Sequence, residues 1–568
     1  MQEQLITLLK NAVLKLVEAG QFNKEESLFI IINVSSQSDH GDYATPLAFS
    51  LAKTQKQAPK NIAALLLSTL NPSLPAFIEK IEIAGAGYIN FFIKKEYWHE
   101  RLLEMLNAGS NYGKSHLYNG KKILIEFVSA NPTGPLHVAH GRAAALGDTL
   151  TRLLRAVGFA VEQEYYINDV GNQVTLLGQS VLLRYRELLG EAITLPDEAY
   201  KGDYIIDIAK AIAETATEPS LRNQDAKFFG KFALDTILSW IKKDLTAFGI
   251  HFDHFFSEGS LYSQGTLPPQ ESYSQNNQVE KVIASLRANE MVYDADGAVW
   301  VATTRYGDDK DRVVTRSNGE TTYFASDIAY HKNKLERGYD RLIDIWGADH
   351  HGYIARVKAA ISAMGYQADR LDIVIHQLVN LLRGGKPVAM SKRSGEFVTL
   401  KEVIEEVGVD ATRFFFLMRR SDTSLDFDLE LAKKASDENP VYYVQYAHAR
   451  LCSIFRVAKE QGRAVEKEIA GITKEDLLVL ALPEEIGLIK QLAIYPDLVQ
   501  SSAEKLEPHR INYYLMELAG LIHRYYFNCR VITNDAALTK ARFALITAAQ
   551  TILRSALDLL GVTAPERM

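Results

Sequence analysis

Two histidines and one lysine hold the most reactive arrangement in this sequence. His137 and His140 stand three apart in NPTGPLHVAHGR, nearly one helical turn, so both imidazoles face the same way at the start of a helix. That stretch follows a nearly continuous apolar run, KKILIEFVS at 121–129, and turns through Asn-Pro-Thr-Gly-Pro. A helix that opens at the carboxyl end of a buried strand turns free N–H groups and its positive end toward a crevice. Imidazoles placed there can donate hydrogen bonds to a triphosphate as charge builds during displacement at the α-phosphorus. Pro132, Gly134 and Gly141 belong to the same turn and are expected to line the nucleotide. The competing explanation, incidental or metal-binding histidines, finds no third ligand candidate nearby in the sequence.

Lys392 lies in a second region, LLRGGKPVAMSKRSGEF at 381–397. A Gly-Gly turn leads into Met390, Ser391, Lys392, Arg393, Ser394 and Gly395, small, hydroxyl-bearing and basic residues that suit a mobile loop folding over phosphates. In isolation the stretch also fits a solvated basic hairpin. The two regions are about 250 residues apart, and each follows an expected core strand, which makes the pair far more specific than either half.

The elements that must position these groups alternate as strand, turn, helix, strand. HVAHGRAAALGDTLTRLLRAVG reads as a helix ending at Gly158, and FAVEQEYYIND as the next strand, the opening of a doubly wound nucleotide-binding sheet. A helical stretch at about 171–280 interrupts the pattern, which resumes in RLIDIWGADHHGYIARVKAAISAMG and in a single strand expected at 371–382. The fold class is therefore multidomain α/β. An α+β unit at 1–115 is expected to precede a Rossmann-like catalytic domain at 116–380. A loop and connector at 381–435 and an all-α bundle at 436–568 follow. The linker AGSNYGKSHLYNG (108–120) suggests that the first unit is independent.

The totals of the 568-residue chain are ordinary: 47% hydrophobic, 23% charged, net charge −7. The net charge gives no global sign of nucleic acid, yet basic residues can be confined to one face. No run approaches the roughly 18 apolar residues of a membrane span, and the amino terminus lacks the features of a signal peptide. Two cysteines, Cys452 and Cys529, can form neither a disulfide framework nor a four-cysteine zinc site, so a reducing cytoplasm is expected.

The two regions resemble the HIGH and KMSKS motifs of class I aminoacyl-tRNA synthetases. EFVSANPTGPLHVAHGR, YYINDVGNQV, TYFASDIAYH, GADHHGY and GVTAPERM, with SDHGDYATPLAF at 38–49, are similar to arginyl-tRNA synthetases in particular, over essentially the whole chain. Two departures stand out. Ala139 occupies a position where the first motif often has glycine, and Ala389 opens the second where lysine is usual; Lys392 itself is present.

The resemblance implies arginine activation with ATP and its transfer to the 3′-terminal adenosine of tRNA(Arg), with magnesium accompanying ATP and no zinc. His137, His140 and Lys392 would act in catalysis, with Met390 and Ser391 beside the nucleotide. By similarity Asp327 and Tyr323, one helical turn apart, bind the guanidinium, whose five planar donors suit carboxylates. Glu126 would stand nearby, and Ser129 and Asn131 would hold the substrate's amino and carboxylate groups. Core packing of Tyr323 and pairing of Glu126 with a local lysine remain as alternatives. Gly347, Asp349 and His350 should border the ribose, while His376 and Gln377 lie where adenine would approach. The terminal bundle would read the anticodon through Tyr442, Tyr446 and Arg450, although a tyrosine stripe also suits a core. The first unit would touch the D-loop corner through Tyr88 and Asn90. A monomer is expected.

Overall fold

The computed structural model describes residues 1–24, 28–35, 38–215, 224–262, 277–388 and 398–568. Met390, Ser391 and Lys392 lie outside the described residues. In the N-terminal unit β1 (Asn33–Val34), β2 (Tyr43–Thr45), β3 (Ile78–Ala84) and β4 (Tyr88–Ile93) form an antiparallel sheet ordered β1-β2-β4-β3. Helices Gln2–Glu18 and Pro59–Leu70 form where the apolar helical periods predict them. A further helix, Lys95–Ala108, leads out of the unit.

The catalytic domain is built on parallel strands. These are β5 (Lys122–Glu126), β6 (Ala160–Ile167) and β7 (His254–Ser257). A small antiparallel sheet follows, β8 (Val292–Ala295), β9 (Ala298–Val301) and β10 (Arg312–Thr315), before β11 (Arg341–Gly347) and β12 (Leu371–His376) complete the main sheet. Its order is β12-β11-β5-β6-β7. From β5 the chain builds outward through β6 and β7, then returns to the other side of β5 with β11. The reversal opens a crevice at the carboxyl ends of β5 and β11, the usual ligand position in such sheets. Ile123, Leu124 and Ile125 of β5 are buried, as a strand covered on both faces requires.

One expectation needs correction, and two further strand segments went unread. Within the mixed helical stretch at 171–280, β7 returns to the edge of the main sheet. The three-stranded sheet at 292–315 is built of strands of 4 residues each, too short to stand out in sequence. The run at 371–382 is two strands in different sheets. β12 ends at His376, and β13 (Val379–Arg383) pairs instead with β14 (Lys386–Pro387) and β15 (Leu425–Asp428). Apolar continuity marks burial but not which sheet a strand joins.

Past the small sheet β14-β13-β15, helices Leu400–Val407 and Val409–Phe416 form the connector to the helical bundle. Arg413 is buried in that connector. Its guanidinium donates to the carbonyls of Leu560 (2.8 Å) and Phe248 (3.3 Å) and pairs with Asp148 of the helix Val138–Ala156. The end of the bundle, the connector and the catalytic helix thus meet at one side chain.

The N-terminal unit is not independent of the bundle. Trp98, Leu102 and Met105 on helix Lys95–Ala108 are buried, and His99 Nε2 lies 2.8 Å from the carbonyl of Leu480. Lys474 pairs with Glu100, and Lys490 with Asp42. Gly113 belongs to the linker that suggested an independent first unit, yet the Tyr495 ring approaches it so closely that a Cβ would lie 2.5 Å away. Truncation at residue 115 therefore uncovers an apolar face. Burial of each large side chain is worth about 1.5–3 kcal/mol. The fragment 116–568 should melt at least about 5 °C below the full chain and bind a hydrophobic dye, whereas deletion of 1–93 should cost less. Equal melting temperatures for 116–568 and the full chain would show the contact to be inconsequential.

Candidate functional site

The crevice begins where β5 ends. Val128 has φ 68° and the Ser129 N–H donates to the Phe127 carbonyl at 2.9 Å, a tight three-residue turn that a β-branched residue adopts at a cost. The turn directs the Ser129 hydroxyl to donate to Glu126 Oε1 at 2.8 Å, while Ser129 Oγ accepts the Tyr166 N–H at 3.1 Å. Glu126 is buried, and its other oxygen is taken by Lys334, a fully buried lysine that also donates to Asp344 at 2.8 Å. Burial raises the Glu126 carboxyl, and Lys334 opposes that rise. Asp344, despite burial, is held below its usual range by Lys334 and His331. Glu126 thus does pair with a lysine, but with one 208 positions away rather than a local one. Asn131 is exposed and donates to Gln173 Oε1 at 2.8 Å.

Three carboxylates gather beyond Glu126. Asp327, one turn into the helix Tyr323–Glu336, accepts the Tyr353 hydroxyl; burial raises its pKa and that hydrogen bond opposes the rise. Glu258, directly after β7, is 3% exposed and is contacted by the hydroxyls of Tyr166 and Ser326. Burial, with the neighbouring charges of Asp327 and Asp169, pushes its pKa up to about 7, against the Tyr166 hydrogen bond. Asp169 accepts the Ser257 hydroxyl and the Gly259 N–H (2.9 Å). Among the described residues no lysine, arginine or histidine forms an ion pair with any of the three. Tyr323 is 58% exposed at the mouth, which removes the core-packing alternative. Glu258 and Tyr353 escaped sequence analysis. Tyr353 stands within GADHHGY, but nothing in that spacing points it back to Asp327.

On the nucleotide side, His137 is the first-turn cap of Val138–Ala156, and its N–H donates to His140 Nδ1 at 3.3 Å. The two rings stack, centroids 3.6 Å apart, and both are half-buried beside the crevice. Leu136 accepts the Leu400 N–H at 2.8 Å, and His137 bridges to Thr399, so the chain emerging from residues 389–397 returns onto the first motif. Gly347 ends β11, with Asp349 and His350 exposed after it. His376 ends β12; burial and then the nearby Arg142 lower its pKa to about 4, so it is neutral at neutral pH. Gln377 follows at the same edge. Gly134 lies against the Tyr204 hydroxyl, which donates to Thr133 at 2.8 Å.

Two nucleotide candidates and one RNA candidate turn inward instead. Pro132 is buried in the turn. Gly141 faces the connector: a Cβ there would lie 2.6 Å from Leu400 and 2.9 Å from Phe416, so helix packing requires a glycine here. Asn90 is 4% exposed between β2 and β3, out of reach of RNA, whereas Tyr88 on the same strand is 45% exposed. In the bundle Tyr442 and Tyr446 stack at 5.8 Å, and the Arg450 guanidinium lies over Tyr446 (4.5 Å) and Tyr526 (5.1 Å). Phe527, Tyr513 and Tyr526 project from helix His509–Asn528 with exposures of 89%, 52% and 40%, aromatic surface that sequence analysis missed.

A doubly wound parallel sheet with stacked histidines at its crevice and a helical bundle behind it defines a class I aminoacyl-tRNA synthetase. Residues 101–421 match the family model of the class I (R) tRNA synthetase catalytic domain, 3–93 the arginyl tRNA synthetase N-terminal domain, and 444–568 the DALR anticodon-binding domain. The chain is 50% identical to the arginine–tRNA ligase of Citrifermentans bemidjiense over 100% of both chains. It is 45% identical to that of Legionella pneumophila (strain Corby) over 99% of both. The arginyl-tRNA synthetase structure from Thermus thermophilus superposes with a TM-score of 0.76 at 24% identity over 100% of both chains. A methionyl-tRNA synthetase from Mycobacterium tuberculosis shares the fold at a TM-score of 0.51 and 14% identity, covering 78% of this chain and 92% of its own. The chain belongs to the arginyl-tRNA synthetase family.

Proposed function

We infer that the chain joins arginine to tRNA(Arg) in two steps, through arginyl-adenylate and pyrophosphate, with the following division of roles. The observation that carries the amino-acid assignment is the group of carboxylates, Asp169, Glu258 and Asp327, gathered beside the nucleotide crevice with no ion-pair partner among the described residues. A guanidinium is the cation that such a pocket lacks. Asp327 takes it, Tyr323 covers it at the mouth, and Glu126, fixed by Lys334, bounds the pocket. Ser129 and Asn131 lie where the substrate's amino and carboxylate groups would be held. The arginine carboxylate attacks the α-phosphorus, so no protein nucleophile is required. His137, His140 and Lys392 stabilise charge on the phosphates. ATP enters as its magnesium complex, the metal being carried by the substrate. Tyr88 contacts the tRNA corner, while Tyr442, Tyr446 and Arg450 contact the anticodon loop. The reading includes a monomer in a reducing, cytoplasmic compartment, supported by the unpaired buried Cys452 and Cys529. No helix among the described residues is long and apolar enough to cross a membrane.

Pyrophosphate exchange with each amino acid, with and without tRNA, tests the assignment. Arginine alone should support it, and exchange with another amino acid would overturn the pocket. The pH dependence offers a second check. A carboxyl with a pKa of about 7 in the free enzyme must lose its proton to pair with a guanidinium that stays charged. The KM for arginine should therefore rise about tenfold per pH unit below 7 and level off above it. Glu258→Gln should raise KM at pH 8 and abolish the slope; a slope that survives this substitution assigns the titration elsewhere.

A further inference from the structure

Arg142, two residues after His140, is one of the largest fully buried side chains in the protein, at 1% exposure. Its guanidinium pairs with no carboxylate among the described residues. It forks instead between two backbone carbonyls, with one nitrogen donating to Gln377 and the other to Arg420, each at 2.9 Å. Burial lowers its pKa only to about 10, with Asp422 opposing the fall, so it stays charged at neutral pH. A buried cation held by neutral carbonyls alone is costly, and the cost asks for a reason.

The two acceptors supply one. Gln377 leads directly into β13, and Arg420 precedes the turn into β15. These two segments are clipped to each other, the Gln377 N–H donating to Ser421 at 2.8 Å and the Leu425 N–H to Leu378 at 3.1 Å. They form the root of the small sheet β14-β13-β15, whose last described residue before position 389 is Val388. On the far side of the loop the chain is tied to the first motif by the Leu136–Leu400 hydrogen bond, the His137–Thr399 bridge and the packing of Leu400 and Phe416 against Gly141. The Arg142 fork supplies a polar tie on the near side.

We propose that Arg142 is a positioning residue for adenylate formation: its fork fixes the root of the small sheet to the helix that carries His140, so that both nucleotide motifs act on one triphosphate. The inference rests on the roles given above to the histidines and Lys392. A lysine at 142 keeps the charge but reaches one carbonyl, because an ammonium lacks the planar fork. A misplacement of about 1 Å in such a site costs on the order of 10²-fold in rate.

The test uses the full chain with tRNA present and measures kcat and KM for pyrophosphate exchange, with melting temperature alongside. Arg142→Lys should lower kcat on the order of 10²-fold while both KM values stay within about threefold. Arg142→Gln should behave similarly, which guards against a defect peculiar to lysine. In a Lys392→Ala background the same substitution should cost less than about threefold, because groups that act together are not additive. Near-normal kcat in Arg142→Lys overturns the proposal. So do multiplicative losses in the double variant, or kcat and KM worsening together with melting temperature, which mark a purely structural role. If Lys392→Ala by itself leaves kcat unchanged, the loop assignment fails rather than the positioning by Arg142.

Discussion

Asp327→Ala should raise the KM for arginine by about 10²-fold or more while the KM for ATP stays within a few fold. The carboxylate sits at the inner end of the pocket, oriented by Tyr353, with no ion-pair partner among the described residues until substrate arrives. Removing one member of a buried charged pair leaves the other unpaired, a loss of about 3–5 kcal/mol. Here that loss falls on the bound state, because the unpaired member is the substrate itself. Tyr353→Phe should show a smaller effect of the same kind, since it frees Asp327 to rotate without removing its charge. Steady-state exchange kinetics at varied arginine and ATP decide the matter. Equal damage to both KM values would make Asp327 a structural residue of its helix.

Lys392→Ala should lower the turnover of adenylate formation by about 10²–10³-fold, the scale of losing one preorganised charge at a reacting centre, with little change in ATP binding. Residues Thr399 and Leu400, just beyond position 397, are hydrogen-bonded or bridged to Leu136 and His137, so the chain there lies against the first motif. In the role proposed above Lys392 meets the leaving phosphates chiefly as their charge grows, and losing such an interaction lowers kcat rather than raising KM. Single-turnover rates and nucleotide binding, measured separately, check this. An unchanged turnover would return residues 389–397 to a solvated basic hairpin.

What the sequence disclosed and what it hid follow one physical rule. Spacing within an element was readable: a separation of three positions from His137 to His140, of four from Tyr323 to Asp327, and the buried run of β5. Partners from distant elements were not. Lys334 reaches Glu126 from another helix, and Glu258 acquires its character from Tyr166, Ser326 and Asp327, none of them near it in the chain. Glycines carry more than one use. Gly141 admits Leu400, and Gly113, in the linker that suggested an independent first unit, admits the Tyr495 ring. For Asn90 the alternation was legible, but sequence could not show that both faces of β4 are covered at that point.

The packing of Lys95–Ala108 against the bundle gives the molecule the property of a caliper. Tyr88 and the aromatic face around Tyr446 belong to parts that share buried surface, so the gap between the two jaws is set by the fold. Two weak contacts held at a fixed gap reinforce each other only for a partner of matching span, and reinforcement vanishes when geometry forbids both at once. With the contacts proposed above, a transfer RNA carrying one extra base pair in the anticodon stem should fill one jaw and miss the other. The expected result is weaker charging of that RNA, a selection by length that follows from the fixed gap.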